Sequence, residues 1–552
     1  MRDTGYVHSL ARSLSLCALT LGTSSALPAQ GLPDEPTGWH LFGSDELLVE
    51  RIDVEGDRGA SPFFLDGTFV TNRLDLGLGW NDGLGRTFRL RAELLAADNP
   101  YLVEDGAVVE TLTFGFESGA AAVPYRVQAG DFFGDVSRRT LQRSVRGASF
   151  ELQPQTAGGD HSLLLLAATA EPSWRRTVDG HARDLTFSAA SYLFASRSGN
   201  ASLSASVVRS ETRPPSSSAP TRPDRLAQTV GSVSGWRRWR SGVELSGELA
   251  HLGDDADDGG ADRPRDEDTS VFLQLARSGA HRFTWKLRVE DNGAAFAPPG
   301  AVGILADRRL AEANARWATA GRGFVTVHIQ RIQDRVGGPS PRLDTDIAGL
   351  AYQGQPFARR PSFRLRLAAE GDRGTAVDDS VDRRFRHYAA ELGERLGGRW
   401  EVRYGGDFWD VEDRRLAAAT RRSLDHALTI GLRSAARRAG GATFGFRVGG
   451  VVRRQWVRAG FESRSPVLDL DVERGGHTLA LHLSFLEQDF NGSSVADLRY
   501  TTQGLVYSFR AGGHELSLEA GRDLRRPDGG TETDSFRLAL RYRLLFDRRW
   551  GV

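Results

Sequence analysis

The stretch that decides the fold is FRLALRYRLLF, residues 536–546. Every second residue from Phe536 to Phe546 is apolar or aromatic, and three of the five residues between them are arginines. Alternation with a period of two predicts a β-strand with one apolar face and one charged face. The run is about twice as long as an average soluble strand. Its length matches the ~9–11 residues with which a tilted strand crosses a bilayer.

The same alternation recurs along the chain, for example at 88–94, 283–290, 363–370 and 478–485. We count about 26 candidate strands, with a range of 22–26, which lies within the strand numbers of bacterial barrels. They start near residues 41, 68, 86, 106, 124, 139, 161, 183, 200, 227, 242, 268, 281, 308, 322, 343, 362, 382, 398, 420, 441, 465, 477, 497, 513 and 533.

The connections follow a second pattern, in which short and long segments alternate. The short ones contain Gly or Asn, which adopt positive φ in tight turns, and the long ones are rich in Pro and Asp. In outer-membrane barrels the periplasmic turns are short and the extracellular loops are longer. With a periplasmic N-terminus, every long connection falls outside. The short connections are 81–83, 198–200, 278–280, 320–321, 397–398, 440–441, 475–476 and 512–513, and the long ones are 211–226, 253–267, 291–307, 334–342, 374–381 and 523–532.

These patterns predict an all-β fold, a transmembrane antiparallel up-and-down β-barrel over residues 40–552 without a plug domain. A propeller is disfavoured because its short strands bury both faces. A secreted β-sandwich would alternate as well, but it needs neither strands this long nor ordered short and long connections. Mean hydropathy of −0.37 argues against a helical membrane protein.

The N-terminus is predicted to direct export. Residues 1–29 combine Arg2 and Arg12 with the apolar run 14–21 and small residues before Ala26 and Ala29, as in a secretory signal peptide. A disordered apolar tail is the alternative. A lipoprotein signal at Cys17 is disfavoured because Leu16 precedes the cysteine. Residues 30–39 then form a short periplasmic segment.

The charged side of the strands is predicted to face the lumen, because an arginine at the lipid midplane costs about 2–4 kcal/mol. Two roles remain open for these residues. They either pair across the inner wall and stiffen it, or form a field that selects the permeant solute. The predicted set is Arg89, Arg91, Glu93, Lys286, Arg288, Glu290, Arg364, Arg366, Glu370, Arg537, Arg541 and Arg543.

Aromatic residues near strand ends are typical of the girdles that barrels place at the membrane interfaces. An aromatic slide for sugars inside the lumen is the alternative. The candidates are Trp39, Tyr101, Trp174, Trp400, Trp409, Trp456, Phe546 and Trp550.

Composition excludes several kinds of chemistry. The 71 basic and 71 acidic residues cancel, which argues against a nucleic-acid partner. Lys286 is the only lysine and Cys17 the only cysteine, so a phosphate-binding loop, a disulfide framework and a cysteine-zinc site are absent. We therefore expect no enzyme activity and no cofactor.

Two weaker candidates for sites remain. The acidic loop around Asp254, Asp255, Asp257 and Asp258 could hold Ca²⁺, although its spacing fits no known calcium motif and a solvated loop is the better interpretation. A hydrolase site at the barrel rim would use histidine, but no partner constellation can be assigned. The candidates are His251, His328, His387, His426 and His482.

Two local sequences resemble known outer-membrane proteins. Gly130-Asp131 together with Arg146-Gly147 resembles the "GD…RG" strand pair of fimbrial ushers and other large barrels, over about 20 residues. The final strand resembles the C-terminal signal of outer-membrane proteins, although Trp550 is not the last residue. The resemblance implies the barrel class and recognition by the barrel-assembly machinery.

The predicted function is an outer-membrane channel, either porin-like or the conduit of an export system. A barrel of about 26 strands is wide, so we expect an inward loop or a periplasmic or gating partner. The segment 211–226 is the longest candidate constriction. The alternatives are a surface barrel that presents its loops, for structure or adhesion, and the hydrolase. Outer-membrane lipid is the expected surrounding.

Overall fold

A computed structural model describes the chain in eighteen ranges. These are residues 37–63, 66–99, 102–103, 106–119, 121–170, 184–213, 226–256, 267–279, 281–319, 323–337, 342–355, 362–374, 382–396, 400–414, 420–434, 442–456, 460–491 and 497–550.

The described residues form one 26-stranded antiparallel sheet. The strands are Gly38–Glu55 (β1), Gly67–Asn81 (β2), Arg86–Ala97 (β3), Ala107–Ser118 (β4), Tyr125–Ser137 (β5), Leu141–Leu152 (β6), Gly159–Thr169 (β7), Asp184–Ser196 (β8), Ala201–Arg213 (β9), Leu226–Arg238 (β10), Val243–Ala256 (β11), Asp268–Arg277 (β12), Phe283–Asn292 (β13), Arg308–Ala318 (β14), Phe324–Asp334 (β15), Leu343–Gly354 (β16), Ser362–Gly374 (β17), Asp382–Leu396 (β18), Trp400–Asp413 (β19), Arg421–Ser434 (β20), Ala442–Trp456 (β21), Gly460–Arg474 (β22), His477–Asn491 (β23), Leu498–Ala511 (β24), His514–Pro527 (β25) and Thr533–Trp550 (β26).

The sheet closes on itself. Each strand pairs with the strand before it and the strand after it, and β26 pairs with β1 from Trp39↔Trp550 to Glu55↔Asp534. Closure leaves no free sheet edge at this seam, which is the condition for a strand to cross a bilayer. The predicted barrel of about 26 strands is therefore confirmed. The predicted starts agree closely with the observed ones, and the largest difference is at β22, which begins at Gly460 and not near 465.

The two kinds of connection lie at opposite ends of the barrel. All predicted short connections join an even strand to the next odd one, and all predicted long connections join an odd strand to the next even one. We call these the short-turn end and the long-loop end. The alternation of lengths breaks at both ends. The connections 138–140 and 457–459 are short at the long-loop end, and 355–361 and 435–441 are seven residues long at the short-turn end.

One short turn shows how local chemistry sets the register. At 82–85, between β2 and β3, the Asp82 carboxylate accepts the backbone N–H of Arg86 at 3.0 Å and that of Leu84 at 2.7 Å. These bonds to the ionised form lower the pKa of Asp82 below its usual value. Gly83 takes a φ of 73°, which costs glycine little.

Register assigns every strand residue to one of two faces, because directly paired residues point to the same side of a sheet. We call the side with Glu50, Arg91 and Arg537 the charged face, and the side with Leu287 and Leu540 the apolar face. Within the described residues, no helix is long and apolar enough to cross a bilayer.

Candidate functional site

The Gly130-Asp131 and Arg146-Gly147 motif marks the point where one hairpin leaves the barrel wall. Gly130 pairs with Gly147, and Asp131 pairs with Arg146. β5 pairs with β4 only from Tyr125 to Gly130, and β6 pairs with β7 only from Arg146 onward. Between these points, β5 and β6 pair with each other alone. We call residues 131–146 the detached hairpin.

Glycine is required on both strands of this bend. Gly130 has a φ of 90°, and a Cβ atom there would lie 2.0 Å from the carbonyl oxygen of Leu112. A Cβ atom on Gly147 would lie 2.1 Å from the carbonyl oxygen of Ala167. Real Cβ atoms do not approach oxygen this closely, so the neighbouring strands pack directly against glycine backbone.

Asp131 forms side-chain hydrogen bonds at the point where β5 stops pairing with β4. Its Oδ2 accepts the backbone N–H of Leu112 at 2.8 Å, a donor on the β4 edge beyond the last pair with β5. Its Oδ1 accepts Arg146 Nε at 2.9 Å. The Asp131 carboxylate therefore pairs the backbone N–H that β4 leaves free of β5, and it links β5 to β6 at the point where the hairpin bends away.

The detached hairpin packs against the charged face through apolar side chains. Leu141 and Val145 are buried against Leu166, Phe187 and Val208 of β7, β8 and β9. These three wall residues belong to the charged face by register. The face is thus locally apolar where the hairpin lies, and burial of each such side chain is worth about 1.5–3 kcal/mol.

Arg139, at the hairpin tip, is fully buried. Its Nε donates to Ser270 Oγ at 2.6 Å and its backbone N–H donates to Glu248 Oε1 at 3.2 Å. Its guanidinium lies 3.8 Å from both Glu248 and Glu290 and 5.2 Å from the ring centre of Phe272. The tip therefore reaches β11, β12 and β13, which are not sheet neighbours of β5 or β6.

Glu290, a residue predicted from sequence, is the meeting point of three arginines. Arg288 binds it along the same strand, Arg138 lies 3.3 Å away, and Arg139 completes the group. Glu290 is itself buried. Buried ion pairs of this kind fix the positions of their partners more reliably than they raise the free energy of unfolding. Loss of one partner leaves an uncompensated buried charge.

A second segment, residues 293–307, covers the neighbouring part of the charged face. Phe296 is fully buried against Val230, Ala250 and Leu252 of β10 and β11. The segment also contacts the detached hairpin: the carbonyl oxygen of Gly300 accepts the backbone N–H of Gln142 at 2.9 Å. Arg143 Nη1 donates to the carbonyl oxygen of Pro299 at 3.0 Å. The two segments form one packed unit over β7–β13.

Most of the other predicted charged residues form ion pairs on the same face, many of them between strands. Arg91 binds Asp75 and Glu93 at 2.9 Å, Lys286 binds Glu312 at 3.0 Å, and Arg364 binds Glu391 at 3.3 Å. Arg537 binds Glu50 at 3.0 Å, Arg541 lies 3.8 Å from Glu46, and Arg543 lies 3.9 Å from Glu515. Register places Arg89, Arg366 and Glu370 on this face as well.

The predicted aromatic residues fall into four groups. Trp39, Trp400, Phe546 and Trp550 lie toward the short-turn end, where Trp39 contacts Trp80 and Phe88 with ring centres 6.2 and 6.0 Å apart. Trp409 belongs to the charged face and stacks on His387 at 3.8 Å. Tyr101 and Trp174 lie outside the described residues, and Trp456 ends β21.

The five candidate histidines are dispersed over five strands. His387 binds Asp407 at 2.7 Å, His482 binds Asp469 at 2.6 Å, and His328 binds Asn314 at 2.5 Å. His426 binds the hydroxyl of Tyr404, and His251 is exposed on the apolar face. In the described part of the chain, no group of three His, Cys, Asp or Glu residues could hold a metal ion. Asp254 and Asp255 end β11, whereas Asp257 and Asp258 lie outside the described ranges.

Sequence reasoning missed that this hairpin leaves the barrel wall. Alternation continues through residues 132–145, with Phe132, Leu141 and Val145 on one face. Phe133 on the other face is 58% exposed, so the apolar pattern did not mark the segment as leaving the wall. The local sign was the Gly130-Asp131 and Arg146-Gly147 motif. The segment 211–226, predicted as a constriction, lies mostly outside the described residues.

No family model and no curated protein matches the chain. Among solved structures it is similar in fold to the translocation pore of the P pilus usher PapC, with TM-score 0.31, 11% identity, and coverage of 92% of this chain and 99% of that chain. It is also similar to OccK1 (OpdK) of Pseudomonas aeruginosa, with TM-score 0.30, 10% identity, and coverage of 92% of this chain and 99% of that chain. A third similar structure is the outer membrane transporter YddB of Escherichia coli, with TM-score 0.40, 9% identity, and coverage of 91% of this chain and 81% of that chain. The closed sheet of 26 strands, apolar on one face and charged on the other, is that of a large β-barrel of the outer-membrane type.

Proposed function

We propose that this protein is an outer-membrane channel or transport barrel, with a lumen lined by the charged face and narrowed by the detached hairpin. In this proposal residues 1–29 direct export, residues 30–39 are periplasmic, and the up-and-down barrel carries no separate plug domain. The observation that carries the proposal is Arg139, which is fully buried at the hairpin tip against strands far along the wall.

The apolar face supports a location in lipid. Leu249, Val271 and Val289 expose 56%, 45% and 54% of their surface on neighbouring strands. Contiguous apolar surface of this extent is unfavourable in water and favourable in hydrocarbon. A closed barrel can present it there because all its wall strands are paired.

The charged face then lines a water-filled lumen. Arginines such as Arg91 and Arg537 cannot face the lipid midplane without a cost of about 2–4 kcal/mol each. Their pairing with carboxylates favours the first of the two predicted roles, a wall stiffened by ion pairs. We therefore assign weak ion selectivity to the lumen.

The detached hairpin and residues 293–307 supply the constriction that a wide barrel needs. Transport barrels of 22 strands already require a plugged lumen, and this sheet has 26. The two segments cover the charged face from β7 to β13 and leave the remaining strands uncovered by them. A permeant therefore passes along the ion-paired wall of the other strands.

Single-channel conductance of the exported chain, residues 30–552, in a planar bilayer tests the proposal. Wild-type protein should give small steps, because the hairpin is docked. Arg139→Ala removes the buried cation that joins Glu248 to Glu290, so the hairpin should undock and the steps should become larger or more frequent.

Arg51→Ala is the matched control, since Arg51 forms an exposed ion pair with Asp53 on the apolar face. It should conduct like the wild type. Equal conductance steps in the Arg139 and Arg51 variants would show that the hairpin does not lie in the conduction path. An inserted protein without any conductance would contradict a channel and favour a surface barrel.

We further propose that a periplasmic or gating partner displaces the detached hairpin, and that the barrel-assembly machinery inserts the chain into outer-membrane lipid. The hairpin is held to β11–β13 by polar contacts that can exchange for contacts with a partner. The sign-balanced charge gives no reason to invoke a nucleic acid, and the proposal requires no cofactor.

A further inference from the structure

Asp45 interrupts the apolar face of β1. Its side chain points to the same side as Leu41, Leu47 and Val49, and its direct neighbours on the adjacent strands are Leu74 and Leu544. Residues on either side of it, Ser44 and Glu46, belong to the charged face, where Glu46 lies near Arg541. The carboxylate therefore lies within a surface that the proposed function places in lipid.

The position of Asp45 along the strand corresponds to the middle of the bilayer. It is six residues beyond Trp39, which belongs to the aromatic contacts at the short-turn end, and six residues before Arg51, which pairs with Asp53. At ~3.3 Å per residue and a tilt of ~40°, six residues rise about 15 Å. The apolar band of such barrels is about 25 Å tall.

One hydrogen bond accompanies this carboxylate. Asn72 Nδ2 donates to Asp45 Oδ1 at 2.8 Å, from a position on the apolar face of β2. Asn72 has a second amide hydrogen to donate and the Asp45 carboxylate has a second oxygen to accept with, so the pair can form further hydrogen bonds. Polar groups at this depth are costly in lipid and are usually covered by protein.

We propose that a second copy of this chain covers Asp45 and Asn72, and that the barrel is a two-fold dimer through β1–β3. A two-fold axis beside the pair lets Asn72 of each copy donate its second hydrogen to Asp45 of the other, so the surface is complementary to itself. The surrounding apolar-face residues include Gly43, Ala92 and Ala96, and small side chains allow two walls to approach closely. The inference rests on the proposed function, because it requires that this face be in the membrane.

Disulfide cross-linking tests the dimer directly, because the exported chain contains no cysteine. Leu47→Cys lies opposite Asn72 and is 40% exposed. Leu287→Cys, on the apolar face of β13 and 47% exposed, is the matched control. After oxidation in the membrane, Leu47→Cys should give a covalent dimer and Leu287→Cys should stay monomeric.

Variants of Asp45 identify the interaction. In the Leu47→Cys background, Asp45→Leu should abolish the cross-link, and Asp45→Asn, which keeps a hydrogen-bonding amide, should retain it. Equal cross-linking at both cysteine positions, no cross-linking at either, or a dimer that tolerates Asp45→Leu would overturn the proposal. A protein that inserts and conducts as a monomer defeats this inference alone, whereas one that does not insert defeats the proposed function as well.

Discussion

At the residue scale, Glu290 joins the detached hairpin to the barrel wall. It was predicted as one of many lumen-facing charges, and the structure makes it the common partner of Arg138, Arg139 and Arg288. Two of these arginines come from the hairpin tip and one from its own strand. A single buried carboxylate thus joins the detached hairpin to β13.

Glu290→Ala should release the hairpin tip. Loss of one partner from a buried ion-pair group costs about 3–5 kcal/mol, which corresponds to roughly a 10²–10⁴-fold larger open population. Thr140→Cys, at a position only 1% exposed, reports this opening through its rate of labelling by a small thiol reagent. The rate should rise by about that factor in the Glu290→Ala background.

The control for this experiment is Asp53→Ala, which breaks an exposed ion pair worth at most about 1 kcal/mol. It should leave the labelling rate of Thr140→Cys unchanged. A Glu290→Ala variant that labels as slowly as the control would show that Glu290 does not anchor the tip.

At the element scale, the pair β5 and β6 is divided into two parts by its glycines. On the short-turn side of Gly130 and Gly147 the two strands belong to the wall. On the long-loop side of these glycines they pack on the charged face of the wall. Neither strand propensity nor alternation marks this division, since both halves read as good β-strand. What marks it is that the backbone of neighbouring strands approaches too closely for any side chain.

Gly130→Ala should destabilise the barrel strongly, because it adds a clash with Leu112 to an unfavourable positive φ. The left-handed conformation alone costs about 1–2 kcal/mol, and we expect a total loss above ~2 kcal/mol. Gly115→Ala on β4 is the control, since a Cβ there meets nothing within 4 Å. Unfolding in detergent micelles should show a lower midpoint for Gly130→Ala alone, and equal midpoints would contradict the assigned role of Gly130.

At the scale of the whole molecule, charge balance is built into the wall. The 71 basic and 71 acidic residues are not merely equal in number, because wall arginines lie beside carboxylates on the same or neighbouring strands. The seam shows this, with Arg537 and Arg541 of β26 beside Glu50 and Glu46 of β1. Ion pairing therefore contributes to closure as well as to the character of the lumen.

The lumen should discriminate weakly between cations and anions. In a KCl gradient the reversal potential should lie close to zero, because paired charges leave little net field. The double variant Glu46→Gln and Glu50→Gln removes two carboxylates beside the seam arginines and should shift the potential toward anion selectivity. Strong selectivity of the wild type, or no shift in the double variant, would contradict a lumen lined by this face.

The number of strands, their starts and the assignment of residues to two faces could be predicted from the sequence. They depend on a period of two and on turn residues, which act between near neighbours in the chain. The C-terminal run from Phe536 to Phe546 already contains this information. The pairing of individual charges was left open, since it depends on which strands meet and in what register.

Only the tertiary structure decided where the detached hairpin packs and what holds it. Arg139 and Glu248 are separated by 109 residues in the chain, and Arg139 and Ser270 by 131. The Gly130-Asp131 and Arg146-Gly147 motif was visible in the sequence, but its effect depends on the carbonyl oxygens of β4 and β7. The period of two in the sequence predicts which face of the sheet a side chain occupies. Contacts between distant strands form only when the sheet has closed into a barrel, because closure brings distant parts of one face opposite each other.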